Sequence, residues 1–109
     1  MEYLSLGCFN DQNGTHAIPS LESNNATYLN GSYQTRQNAV LRCALEAALM
    51  GYKVFAVQDG GACYSSPHAH VNYSVYGETQ CPSGGRGGNL VIEVYLLGGW
   101  LFYLLLIIW

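Results

Sequence analysis

The chain has 109 residues, enough for one domain, and only 10% of them are charged, against roughly 25% in an average soluble protein. Nine tyrosines and thirteen glycines make up much of the difference, and the net charge is −3. The few cations are scattered along the sequence, whereas binding to nucleic acid needs clustered lysine and arginine, so the composition excludes a nucleic-acid partner.

The N-terminal third combines one strand pattern with a long polar segment. Apolar residues alternate with polar or small ones at Leu4, Leu6 and Cys8, which predicts a short half-buried strand. Residues 10–35 are rich in Asn, Gly, Ser and Thr and predict a loop, which is unusually long unless it is anchored. We expect Ile18-Pro19 and Leu21 to fold back onto the core and anchor it.

The clearest helix pattern runs from Asn38 to Met50. Small and apolar residues recur on one face at a spacing of three and four, namely Val40, Cys43, Ala44 and Ala47. Asn38 is predicted to cap the first turn by accepting a backbone N–H, and Gly51 to end the helix in a left-handed conformation.

A central strand is predicted directly after this helix, over Tyr52–Gln58. Its side chains alternate between two faces, with Val54 and Ala56 on one side and Phe55 and Val57 on the other. Both faces are apolar, so we expect both to be covered.

The rest of the domain is predicted to complete an antiparallel sheet. Asp59-Gly60-Gly61 indicates a turn, and Ala62–Tyr64 indicates the returning strand. Residues 65–89 are predicted to form another loop, and Leu90–Leu96 the last strand. The expected fold is α+β, with one helix packed on a small antiparallel sheet, long loops and disulfides, spanning residues 1–96.

Four well-separated cysteines, an even number, predict two disulfides: Cys8, Cys43, Cys63 and Cys81. Structural zinc sites usually have closely spaced cysteine pairs, which are missing from the sequence. Because the helix adjoins the central strand, Cys43 is predicted to pair with Cys63, which leaves Cys8 for Cys81. Disulfides persist in oxidising compartments.

Asn-x-Ser/Thr sequons occur at four positions: Asn13, Asn25, Asn30 and Asn72. All four lie in polar stretches that are predicted to be loops, where an attached glycan fits. Together with the cysteines, they predict a secreted or cell-surface glycoprotein. Incidental matches in asparagine-rich loops are the alternative interpretation.

The two ends of the chain differ from those of a typical secreted domain. Residues 1–6 lack the features of a secretory signal, so we expect a domain from a longer protein or an incomplete gene model. Residues 97–109 form an apolar tail within an uncharged run, Val94–Trp109, of sixteen residues, whereas a membrane-spanning helix needs at least about 17. The tail is interpreted as a truncated transmembrane helix, a lipid-anchor signal or a gene-model extension.

Several motifs resemble a known family. Gly7-Cys8-Phe9, Asp11 and His16-Ala17-Ile18-Pro19 resemble the opening of WSC domains. The segment from Gly51 to Cys63, with Gly87-Gly88-Asn89, is similar to a four-cysteine, WSC-like module of invertebrate extracellular proteins.

This resemblance covers about residues 4–96. Full WSC domains carry eight cysteines, and two of those positions are Ala47 and Ser65 in this chain. The resemblance implies carbohydrate binding at cell surfaces.

Six residues, from the end of the central strand to the loop before the last strand, are predicted to bind the ligand: Gln58, Asp59, Tyr64, Asn72, Tyr73 and Tyr76. Sugar sites combine flat aromatic faces with planar hydrogen-bonding groups, and this segment offers both. The alternative is that the tyrosines only cover a small core.

Neither a metal site nor a catalytic site is predicted. His16, His68 and His70 have no clear acidic partner in the sequence and are expected to be surface histidines. Every cysteine is assigned to a disulfide, which leaves no nucleophilic thiol. No cofactor is expected.

The sequence therefore predicts a non-catalytic extracellular module that binds a glycan or a matrix or protein ligand. The alternatives are a self-associating structural domain of the extracellular matrix and the ectodomain of a receptor held at the membrane by the C-terminal tail.

Overall fold

A computed structural model describes residues 2–23 and 25–98. Its helices and strands, in chain order, are β1 (Tyr3–Asn10), α1 (Ala39–Leu49), β2 (Val54–Gln58), β3 (Ala62–Ser65), α2 (Ala69–Asn72), β4 (Glu78–Thr79) and β5 (Val91–Leu97), with a 3-10 turn at Tyr33–Thr35. The strands form one antiparallel sheet in the order β3-β2-β5-β1-β4. The predicted α+β fold is confirmed.

Strand β5 lies at the centre of the sheet, between β1 and β2. It starts one residue later than predicted because Leu90 has a positive φ of 53°, which is incompatible with a strand. It ends one residue later because Leu97 pairs with Tyr3. The sheet thus includes Leu97, the first residue of the predicted tail, whereas residues 99–109 lie outside the described part of the chain.

Apolar side chains cover both faces of the sheet. Val54 and Ala56 belong to one core cluster, and Phe55 and Val57 to the other, as the alternation predicts. Helix α1 packs on the second face through small buried side chains, Cys43, Ala44 and Ala47. Small residues at this interface allow the helix to approach the sheet closely, so that the core is densely packed.

The two ends of α1 differ in how well the sequence predicted them. The predicted cap interaction of Asn38 is wrong, because its side chain makes no capping hydrogen bond. Asn38 has a left-handed φ of 55°, whereas a capping side chain requires an extended backbone to reach the first turn. Gly51 does have the predicted left-handed conformation, with a φ of 79°.

The long loop after β1 is anchored on the sheet, as predicted. Ile18 is only 1% exposed within the first core cluster. The N–H of Leu21 donates to the carbonyl of Cys63 at 2.8 Å, and the N–H of Ser65 donates to the carbonyl of Pro19 at 3.0 Å. The loop therefore covers the outer edge of β3.

The structure contains both predicted disulfides. Cys43–Cys63 joins α1 to β3, and Cys8–Cys81 joins β1 to the loop after β4. Residues 65–89 are not entirely loop, because they include α2 and β4.

The loop before β5 crosses the end of β2 very closely at Gly87. A Cβ atom there would lie 2.4 Å from the carbonyl oxygen of Val57 and 2.5 Å from that of Val91, and φ is +65°. Only glycine, which has no Cβ atom, both fits this close approach and adopts a positive φ without strain. This crossing places Asn89 and Leu90 next to the end of the β2–β3 hairpin.

Candidate functional site

A pocket of about 580 Å³ opens where the β2–β3 hairpin meets the two long loops. Its lining residues come from three parts of the chain: Asn13, His16, Ser20, Glu22 and Tyr33; Gln58, Asp59, Ala62 and Tyr64; and Asn89 and Leu90. The hairpin supplies the floor, and the loops supply the walls.

Of the six predicted ligand-binding residues, the structure brings three into this pocket, namely Gln58, Asp59 and Tyr64. Tyr73 packs edge-on against Phe9, with ring centroids 5.0 Å apart. The Tyr76 hydroxyl donates to the carbonyl of Thr15 at 2.6 Å. Both of these tyrosines pack against the first core cluster.

Asn72, the remaining predicted residue, is exposed at the end of α2. It therefore does not contribute to the pocket. The predicted set splits into hairpin residues that line the pocket and residues around α2 that do not.

A buried carboxylate organises the floor of the pocket. The Asp11 side chain is 1% exposed, and its Oδ1 accepts the backbone N–H of Ala17 at 2.8 Å. Its Oδ2 accepts from Nε2 of Gln58 at 2.7 Å and lies 2.6 Å from Nδ1 of His16. His16 and Gln58 are thus held in fixed orientations before any ligand arrives.

These hydrogen bonds also determine the ionisation of Asp11. Burial alone would raise the pKa of this carboxyl, but the bonds from Ala17, His16 and Gln58 outweigh burial and hold the pKa below its ordinary value of 3.8. Asp11 therefore remains a carboxylate across the physiological range.

The Asp11→Asn variant should lose about 1.5–3 kcal/mol of unfolding free energy at neutral pH, since it loses charge-assisted hydrogen bonds. A carboxyl whose pKa is lower in the folded than in the unfolded state stabilises the fold at a pH above its unfolded-state pKa. That stabilisation is lost as the pH falls through the folded-state pKa. The difference in unfolding free energy between wild type and variant should therefore become smaller below pH 3.8. Urea unfolding of both proteins at neutral and acidic pH measures it, and a gap independent of pH would contradict this role.

Three rings of the described residues line the pocket, those of His16, Tyr33 and Tyr64. The ring of His16 lies 5.2 Å from that of Tyr64, at an interplanar angle of 49°. Tyr33, in the 3-10 turn, donates its hydroxyl to Oδ2 of Asp59 at 3.2 Å. Burial raises the pKa of the Tyr64 phenol, and the carboxylates of Asp11, Glu22 and Asp59 add to this effect. Tyr64 therefore stays a neutral phenol.

A buried ion pair supports the wall behind Glu22. Nη1 and Nη2 of Arg36 lie 2.7 and 2.8 Å from the two carboxylate oxygens of Glu22. Arg36 also donates to the carbonyls of Leu29 and Gly61, both at 3.0 Å, and Glu22 accepts the N–H of Cys63 at 2.8 Å. Arg36, one of the scattered cations of the sequence, thus joins the long loop to the hairpin.

Sequence reasoning missed several pocket residues, among them His16, Tyr33 and Asn89. They come from loops that are distant in sequence from the hairpin, so spacing along the chain did not connect them. For His16 there was a signal, because it follows Asp11 within the segment that resembles the opening of WSC domains.

An aspartate–histidine pair facing a pocket also has the geometry of a general base. In the described part of the chain, no hydroxyl group hydrogen-bonds to His16. The pocket serine, Ser20, instead accepts the N–H of Glu22 through its Oγ at 3.0 Å. The pocket thus combines polar groups with aromatic rings.

Among the described residues, one group of three potential metal ligands lies close together: Cys8, Cys81 and Glu93. Its two sulfur atoms form a disulfide, so they are not thiolate ligands. His16, His68 and His70 do not form such a group in the same part of the chain.

The four sequon asparagines, Asn13, Asn25, Asn30 and Asn72, are all exposed. Asn72 lies in α2, whereas a loop was predicted there. The helix is only one turn long, which is too short to show a periodic pattern in the sequence. Two disulfides indicate an oxidising, extracellular-type environment. Within residues 2–23 and 25–98, no helix has the length and apolar character needed to cross a membrane.

No protein-family model matches the chain, and comparison with curated proteins gives no significant match. The interpretation of the pocket therefore rests on its own residues.

Proposed function

We propose that this chain is a non-catalytic extracellular module that recognises carbohydrate at the cell surface or in the matrix through the pocket. The observation that carries the proposal is the combination of the Tyr33 and Tyr64 rings with the side-chain amides of Gln58 and Asn89. Sugars present C–H faces that pack on aromatic rings, and hydroxyl pairs that planar amides bind well.

Fixed geometry in the pocket supports this proposal. Gln58 and His16 are both held by Asp11, and Asp59 is held by Tyr33. A preorganised site loses little conformational entropy when a weakly binding ligand such as a sugar is captured.

The extracellular location belongs to the same proposal. Two disulfides and four exposed sequons fit a secreted or cell-surface glycoprotein. The resemblance to WSC-like modules also points to this location and to a sugar ligand.

A glycan array tests the proposal, using the full chain made in eukaryotic cells, with both disulfides verified by intact mass. We expect saturable binding to one class of sugar. Asn89→Ala should weaken that binding about fivefold, since a neutral hydrogen bond contributes about 1 kcal/mol and a tenfold change corresponds to about 1.4 kcal/mol.

The matched control is Gln80→Ala, which removes an exposed amide that does not line the pocket. This variant should bind like the wild type. A folded, glycosylated sample that binds no sugar would rule out carbohydrate recognition.

A self-associating matrix domain is the second candidate, favoured by two consecutive exposed apolar side chains at the end of α1, Leu49 and Met50. Exposed apolar surface of this kind favours contacts between proteins. Concentration-dependent sedimentation that Leu49→Gln reduces, without any sugar binding, would favour this function.

A further inference from the structure

The pocket has an uneven distribution of charge. Two carboxylates, Glu22 and Asp59, line it directly, and that of Asp11 lies behind His16. Among the described residues that line the pocket, none is a lysine or arginine. Because Arg36 binds Glu22 in a bidentate pair, the Glu22 charge is largely compensated.

Asp59 is different, because its charge is not compensated in this way. The salt bridges of the described part involve Asp11 and Glu22. Asp59 is exposed at the pocket rim, where the Tyr33 hydroxyl is its hydrogen-bond donor. Its carboxylate thus carries a net negative charge into the pocket.

The backbone fixes the position of this carboxylate. Asp59 has a left-handed φ of 53°, which aspartate tolerates better than most residues. Its N–H donates to the carbonyl of Gly88 at 3.3 Å, and Gly88 follows the close crossing at Gly87. Asp59 thus lies in a turn whose backbone is hydrogen-bonded to the loop before β5.

The negative charge of Asp59 affects the pKa of the neighbouring phenols. Burial, followed by the Asp59 carboxylate, raises the pKa of Tyr33, and Asp59 also adds to the raised pKa of Tyr64. Neutral phenol rings beside a carboxylate form a favourable environment for a cation, which gains both a charge-assisted hydrogen bond and contact with ring faces.

We infer that the pocket prefers an amino sugar, a hydroxylated ring that carries an ammonium group, over the N-acetylated form of the same sugar and over acidic sugars. This inference rests on the proposed carbohydrate function. The ammonium group would lie against Asp59, and the sugar ring against Tyr33 and Tyr64. A carboxylated or sulfated sugar would instead meet like charge.

His16 also lines the pocket, and its Nδ1 lies 2.6 Å from Oδ2 of Asp11. All ligands are compared at one mildly acidic pH, at which the sugar amine is protonated, so that the pocket carries the same charge in every titration.

The test is calorimetric titration of the full chain with glucosamine oligomers and with N-acetylglucosamine oligomers of equal length. We expect the amino form to bind about tenfold more tightly, the gain of one charge-assisted hydrogen bond. Asp59→Asn should bring the ratio of the two affinities close to one. Glu78→Gln, which removes an exposed carboxylate outside the pocket, should keep the ratio.

The outcomes separate this inference from the proposed function. Equal or tighter binding of the acetylated or an acidic sugar would overturn the preference and leave carbohydrate recognition in place. An affinity ratio that persists in Asp59→Asn would also overturn it. No binding of either oligomer would also overturn the preference, and carbohydrate recognition would then be decided by the glycan array alone.

Discussion

Replacing Arg36 by alanine is expected to lower the free energy of unfolding by about 3–5 kcal/mol, the usual cost of breaking a buried ion pair from one side. The Arg36 side chain is 1% exposed, and that of Glu22 is 24% exposed. The variant leaves the Glu22 carboxylate without its cation and the carbonyls of Leu29 and Gly61 without a donor. Chemical denaturation followed by circular dichroism measures the change.

Arg86→Ala is the matched control, since Arg86 is exposed and its side chain forms no salt bridge in the described part of the chain. It should change the unfolding free energy by less than about 0.5 kcal/mol, as surface substitutions usually do. Equal effects of the two substitutions would contradict the structural role given to Arg36.

Removing the Cys8–Cys81 disulfide, by replacing both residues with alanine, is the second large expected effect. The bridge spans 73 residues, and closing a loop of that size stabilises a protein by about 4 kcal/mol in the chain-entropy model. The total free energy of unfolding of a domain of this size is about 5–15 kcal/mol, so the variant should be only marginally stable at body temperature.

Thermal and denaturant unfolding of the Cys8→Ala/Cys81→Ala protein, with Cys43–Cys63 intact, measures this cost. A loss below about 1 kcal/mol would show that the unfolded chain is not restricted by the bridge in the way the model assumes. Because Cys43–Cys63 stays intact in the variant, the measured loss belongs to Cys8–Cys81 and not to the fully buried bridge between α1 and β3.

The segment from α1 to β3 could be predicted well from the sequence, because its signals are local. The spacing of Cys43, Ala44 and Ala47 defines a helix face, Gly51 defines its end, and alternation defines β2. Pairing of Cys43 with Cys63 followed from this adjacency.

Elements that depend on distant contacts could not be predicted. Helix α2 has four residues and β4 has two, too few for any periodicity to appear. Asn38 has the right residue type for a cap but a backbone conformation that the surrounding turn determines.

The residues of the candidate site also divide into those that local signals place and those that distant contacts place. Gln58, Asp59 and Tyr64 lie on one predicted hairpin, so the sequence placed them together correctly. Tyr33 reaches the pocket because contacts distant in sequence, among them the Arg36–Glu22 pair, hold the long loop against that hairpin. Tyr64 is itself a buried member of the first core cluster, and Tyr33, Tyr73 and Tyr76 all pack against that cluster. Residue type alone therefore could not show that Tyr33 and Tyr64 line the pocket whereas Tyr73 and Tyr76 do not.

The proposed function requires that the sugar bind in the pocket and not on another surface. A nuclear magnetic resonance titration of the full ¹⁵N-labelled chain with the best oligosaccharide from the array tests this. We expect the largest amide shifts at Gln58, Asp59 and Asn89. Largest shifts at Tyr73 and Tyr76, with the hairpin amides unmoved, would rule out the pocket as the binding site.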